Sequence, residues 1–285
     1  MLDLPAVANA NTHFYVDNAP PEEVAWVLRC LLPEEPLSPN DIASLLRSEY
    51  GFSMQKDKTY SPRRLHDLGL ARQAKVGGKV CYFLTPLGRK VRSMTTTESA
   101  LYPDIMHFLH YSGFDGRSET RKYLWSYRRC CEIVWAEKRL IPTQEMASRV
   151  QALMRTEFPD LDFGAAKGAR FDSTGAGRCY TWMKSLSPPA FSDSDGILQP
   201  RSVDRHELPL LALSYVYRER HYRHGDPVLL DKVVLSDVAA VFFLDTVRCR
   251  DLLSLAVQTT RALQLADTFA GTCVTLASAY GIENI

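Results

Sequence analysis

The stretch Ser61-Pro-Arg-Arg-Leu-His-Asp-Leu-Gly-Leu-Ala-Arg-Gln73, with Lys79-Val-Cys-Tyr-Phe-Leu-Thr-Pro-Leu-Gly-Arg89 just after it, decides the reading of this chain. The first piece has the spacing of a short basic helix over about Thr59 to Leu68. Leu65 and Leu68 fall on one face, and Gly69 supplies a left-handed stop. Ala71 to Val76 and Lys79 to Leu84 alternate as strands around Gly77-Gly78, a hairpin turn signal. Pro86-Leu87-Gly88 then opens a closing helix near Arg89 to Met94.

Upstream, Val24, Val27, Leu28, Leu31 and Leu32 repeat at helical spacing, and Pro33 and Pro36 end that helix. Ser38-Pro39-Asn40-Asp41 is a helix start: a capping serine, a proline at the first helical position and an acid facing the dipole. Ile42, Leu45 and Leu46 face inward until Gly51. The order is therefore helix, helix, helix, hairpin, helix in about 75 residues.

Arg64-Leu-His-Asp-Leu-Gly-Leu70 and Tyr82-Phe-Leu-Thr-Pro-Leu-Gly88 resemble the winged helix-turn-helix superfamily over about a quarter of the chain. The resemblance implies a helix laid in the DNA major groove and a hairpin wing beside it. Two features depart from the pattern: Pro62 lies within a short recognition helix, and the wing is small. A protein-docking role for the same module stays open.

Charge supports a phosphate-binding face. The chain of 285 residues has a net charge of +1, yet residues 47 to 92 hold eleven Lys/Arg against three acids. The remainder is net acidic. The expected DNA contacts are Lys56, Lys58, Thr59, Tyr60, Ser61, Arg63, Arg64, His66, Lys75, Lys79 and Arg89. Lys58, Thr59 and Ser61 would hold phosphates at the helix start. Tyr60, Arg63, Arg64 and His66 would read bases, with an arginine able to take a guanine edge bidentately. Lys75 and Lys79 flank the wing tip.

The fold class expected is mainly α with a small β-hairpin wing. Residues 1–20 form an arm, 21–95 the winged helix, 100–200 a helical domain and 201–285 a C-terminal helical domain. Thr95 to Ser99 reads as a junction, and Phe163 to Gly177 and Pro188 to Pro200 as loops. Leu101 to Leu109, Arg121 to Leu140, Glu145 to Phe158 and Arg178 to Leu186 read as helices. One echo stands out. Leu37 to Tyr50 resembles Ile141 to Phe158, and each precedes a short basic helix. That leaves room for a second, degenerate winged-helix unit across 120 to 200.

Other constellations carry less chemistry. His221 and His224 sit beside Arg218, Arg220 and Arg223, which would repel a cation. His107 and His110 read as buried. The glycine-rich run from Phe163 lacks the Gly-Lys-Ser/Thr of a P-loop. Asp160, Asp162 and Lys167 lack strand patterning for a nuclease. Cys130-Cys131 reads as packing. Arg117, Arg121, Lys122, Arg128 and Arg129, interleaved with Tyr123, Trp125 and Tyr127, read as core plus a solvated charged face. No catalytic residue, metal or cofactor is expected. The seven cysteines form no Cys-x-x-Cys pair, and neither a signal peptide nor a spanning segment is seen, so a cytoplasmic protein is expected.

The function expected is non-catalytic binding of double-stranded DNA, as in a transcription regulator. Its helical C-terminal region would form a homodimer or hold protein partners. The alternatives are an interaction subunit of a defence or mobile-element complex and a cryptic metal-dependent nuclease.

Overall fold

A computed structural model describes residues 14–98, 100–114, 121–161 and 170–285. The chain begins with helices α1 (Pro21–Cys30), α2 (Pro39–Tyr50) and α3 (Tyr60–Asp67), strands β1 (Ala71–Val76) and β2 (Lys79–Leu84), and helix α4 (Pro86–Thr97). Ser38 and Asp41 form a capping box at the start of α2, and Gly51 ends it at φ 64°. Gly77 and Gly78 both take positive φ, which suits the tight turn joining β1 to β2. Leu37 pairs antiparallel with Tyr82 in β2, adding a one-residue third strand. Thr95 to Thr97, the start of the run expected as a junction, form the last turn of α4, and Ser99 lies outside the described residues. Thr95 is buried there and accepts from Arg29 Nε at 3.2 Å.

Helix α5 (Tyr102–Ser112) leads into α6 (Lys122–Glu137), α7 (Thr143–Glu157) and α8 (Ser173–Lys184). Helix α8 starts five residues before Arg178, because Asp172 accepts from the Gly175 N–H and caps it. Ser173 to Gly177 is therefore helical rather than loop. Residues 163–169 of the expected loop lie outside the described residues. Arg139 bridges Ile197, and Phe191 bridges Leu198, both antiparallel. A short hairpin thus lies within the expected Pro188–Pro200 loop.

The last segment departs most from expectation. It holds α9 (Glu207–Glu219), β3 (Pro227–Leu229), α10 (Lys232–Phe242), α11 (Thr246–Thr259), β4 (Leu263–Thr268) and β5 (Gly271–Leu276). The strands form an antiparallel sheet in the order β3-β5-β4. Leu263, Val274 and Leu276 are buried at alternate positions, and the period of two sets the strand. The region 201–285 is therefore not wholly helical.

One arrangement recurs three times. A helix leads to a short strand, then two helices, then a hairpin whose second arm pairs with that strand. The first copy runs α1, Leu37, α2, α3, β1 and β2. The second runs α6, Arg139, α7, α8 and the 191–198 hairpin. The third runs α9, β3, α10, α11, β4 and β5.

Helix α5 joins the copies. His107 Nε2–H donates to the Val241 carbonyl in α10 at 2.6 Å, and its Nδ1 accepts from the Tyr127 hydroxyl in α6 at 2.7 Å. Asp104 on α5 is ion-paired with Arg201, both fully buried, at 2.7 Å. Arg201 also donates to the Pro188, Ser187 and Phe242 carbonyls. Burial raises the Asp104 carboxyl, and the Arg201 charge opposes that shift.

Burial also drives the His107 imidazole down to about 3, and holds His110 well below the usual histidine value. Between about pH 6.5 and 3 the unfolded chain takes up protons that the folded chain refuses. Stability therefore falls as the pH drops below about 6.5, by up to about 1.4 kcal/mol per pH unit for each such histidine. Urea midpoints at pH 7, 6 and 5 should fall in that order, and His107→Gln should flatten the profile. Asp104→Ala, which strands the Arg201 guanidinium, should cost about 3–5 kcal/mol in urea denaturation.

Candidate nucleic-acid interface

The candidate face is built on α3 and the β1–β2 hairpin. With Leu65 in the core, the turn chemistry at the start of α3 sets what remains outside. Asp57 Oδ1 accepts from the Thr59 N–H at 3.0 Å and the Thr59 hydroxyl at 2.6 Å. The Thr59 hydroxyl holds the Asp57 carboxyl below the usual carboxylate range. A carboxylate of the chain itself thus already occupies the amide end where a phosphate was expected.

The eleven residues expected from sequence are not brought together as one surface. Ser61 is fully buried and donates to Glu23 Oε1 at 2.5 Å. Arg64 is only 2% exposed. Its guanidinium lies 4.1 Å from the Tyr123 ring centre and Nη2 donates to the Asp17 carbonyl. Both face the interior because α3 is clamped between α1 and α6, so neither can touch DNA in this arrangement. Arg89 points elsewhere, into a cavity between α1 and α4.

Arg63 is on the outer face with its side chain 40% exposed, paired with Asp17 and lying 5.5 Å from the Tyr60 ring centre. Asp17 belongs to a segment, Phe14 to Ala19, that runs from α3 across to α6 and α8. Phe14 packs edge-on against Trp125 and Phe158, and Arg178 donates to the Val16 carbonyl at 2.8 Å. Tyr60 and His66 are half-buried beside Arg63. Lys56, Lys75 and Lys79 are exposed, and Lys58 reaches Asn40 Oδ1 at 3.5 Å.

Sequence reasoning missed the outer stripe of α2. Ser44, Arg47 and Ser48 meet Lys58 around a concavity of about 270 Å³. Their i, i+3, i+4 spacing opposite Ile42 and Leu46 was the available signal. None of Arg47, Lys56, Lys58, Lys75 and Lys79 is in an ion pair among the described residues.

The second basic run differs. Tyr123, Trp125 and Tyr127 are buried. Arg128 binds Glu132 and Glu219, and Arg129 binds Glu132 and Glu157. Cys130 and Cys131 are buried, and burial pushes both thiols well above the ordinary value, against a nucleophilic role. His224 stacks on Tyr217 in a surface turn. Among the described residues no three His, Cys, Asp or Glu side chains are placed to share a metal ion, and no helix is long and apolar enough to cross a membrane. Asp162, Lys167 and Arg117 lie outside the described residues.

No family model and no curated protein matches the chain. Two solved structures are similar in fold. One is a magnesium-ion-bound crystal structure of SspB, 13% identical at a TM-score of 0.57, covering 95% of this chain and 84% of that one. The other is a further SspB crystal structure, also 13% identical, at 0.54, with 96% and 84% covered. At that identity the likeness establishes the fold alone.

Burial separates two kinds of basic residue here. Arg64→Ala should cost about 2 kcal/mol of stability, through a lost desolvated cation–π contact and lost packing. Lys75→Ala and Lys79→Ala should stay within about 0.5 kcal/mol of the parent chain. Thermal and urea denaturation of the three variants would check both statements.

Proposed function

We propose that this chain is a non-catalytic binder of double-stranded DNA, acting as a transcription regulator. Its first helix–strand–helix–helix–hairpin copy would serve as a winged helix. The observation that carries this reading is the group of cations in no ion pair among the described residues, Arg47, Lys56, Lys58, Lys75 and Lys79, on α2, the loop before α3 and the hairpin. Phosphate contacts from these side chains would give affinity, and Tyr60, Arg63 and His66 would give base readout. The second and third copies would hold a second chain or a protein partner. Seven free cysteines, six of them buried, suit a reducing cytoplasm.

A second reading, a docking subunit of a nucleic-acid-processing complex, is favoured by apolar side chains on the third copy. Phe269 at the β4–β5 tip is fully exposed, and Val247 on α11 is 70% exposed. Under that reading the isolated chain binds DNA weakly.

Fluorescence anisotropy with duplex DNA at two salt concentrations separates the two. DNA binding predicts micromolar or tighter affinity that falls steeply with salt. Changing Lys75 and Lys79 together to alanine should flatten the logarithmic salt slope by about 2, one for each phosphate contact. Asp17→Asn, which releases Arg63, should tighten binding. No binding at low salt would move the weight to docking. A magnesium-dependent cleavage product that vanishes with chelator would overturn the non-catalytic reading.

A further inference from the structure

A cavity of about 540 Å³ lies on the first copy, away from α3 and the hairpin. Helix α1 contributes Trp26 and Arg29, the end of α2 contributes Tyr50, and α4 contributes Arg89, Arg92 and Thr96. On α4 the spacing 89, 92, 93 and 96 puts one cationic and hydroxylic stripe on a single helix face. Its volume falls within the range of about 300–1,000 Å³ typical of small-ligand pockets.

The wall has two chemistries. Trp26 and Tyr50 stand with ring centres 5.1 Å apart, and Tyr50 is 48% exposed. The Arg29 guanidinium lies over the Trp26 ring, 4.8 Å from its centre, Arg89 and Arg92 also line the cavity, and no carboxylate does. None of the three is in an ion pair among the described residues. Arg29 is held by the Thr95 carbonyl at 2.8 Å, and Arg92 Nη1 by the Leu31 carbonyl at 3.0 Å. Each keeps further N–H donors, and the Arg89 side chain makes no hydrogen bond among the described residues. Three like charges gathered without counter-charge repel one another unless an anion joins them.

We infer that this cavity binds a nucleotide, with the base against the exposed Tyr50 ring beside Trp26 and the phosphates on Arg89 and Arg92, next to the Arg29 that covers Trp26. Planar guanidinium groups hold phosphate oxygens bidentately, and a base gains stacking on an aromatic wall. The source of that base-plus-phosphate chemistry is either a free nucleotide or the 5′-phosphorylated end of a single strand. Arg89 thus serves this cavity rather than the duplex face.

The test is isothermal titration of the full chain with ADP, a 5′-phosphorylated trinucleotide, adenosine and inorganic pyrophosphate. Saturable binding of ADP or the trinucleotide, tighter than adenosine or pyrophosphate, is expected. The tighter of the two identifies the source. Arg89→Ser should weaken it by about tenfold or more, and Trp26→Phe should weaken it less. The Arg89 side chain is exposed and makes no hydrogen bond among the described residues, so its change leaves the fold intact, which circular dichroism would verify. Duplex affinity should be unchanged in Arg89→Ser, so this proposal and the DNA-binding reading fail separately. Absence of saturable binding by both nucleotide probes, pyrophosphate binding as tight as ADP, or an Arg89→Ser variant that binds like the parent would each overturn it.

Discussion

Arg201 and Asp104 hold the second and third copies against α5 in one arrangement. A guanidinium taken wholly out of water is stable only if nearly every N–H finds an acceptor. Arg201 finds them in three places at once: the Asp104 carboxylate on α5, the Ser187 and Pro188 carbonyls after α8, and the Phe242 carbonyl at the end of α10. Its backbone also pairs in parallel with Leu244. Moving any one of these elements would strand a buried charge. The geometry between the second and third copies is therefore all-or-none, and α5 is the element both lean on. His107, which spans α6 and α10 from the same helix, repeats that logic with a neutral ring.

The three copies share a scaffold but differ in how they spend their arginines. In the second copy Arg128, Arg129 and Arg149 are consumed by glutamates, and in the third Arg220 and Arg248 by aspartates. In the first copy two groups of cations are in no ion pair among the described residues. One group surrounds α2, α3 and the hairpin, and the other lines the α1–α4 cavity. Phe14 to Ala19 lies against the first of these, and Asp17 there satisfies Arg63 with the molecule's own carboxylate. That segment also anchors the first copy to the second through the Phe14–Trp125–Phe158 cluster and Arg178. One strand of chain thus couples the packing of two copies to the charge state of the α3 face.

Sequence alone determined the local elements of the first copy. Ser38 to Asp41, Gly51, Gly69 and Gly77-Gly78 are signals whose physics acts within a few residues: a cap, two stops and a turn. The helical period of α5, α6 and α7 was equally legible, as were the buried histidines and the echo between Leu37–Tyr50 and Ile141–Phe158. Beyond that reach the reading failed in an orderly way. Leu263 to Leu276 is apolar enough to pass for helix. Its strands form because β5 finds β3, more than forty residues back in the chain, a pairing no local pattern announces. Tertiary packing alone also decided which cations remain outside. Arg63 and Arg64 are neighbours in one short helix, and a helical wheel cannot know that α6 brings Tyr123 over the second of them. The cavity of Trp26, Tyr50 and Arg89 was invisible for the same reason. Its walls come from three helices, and a concave site is a property of their packing rather than of any one stretch of sequence.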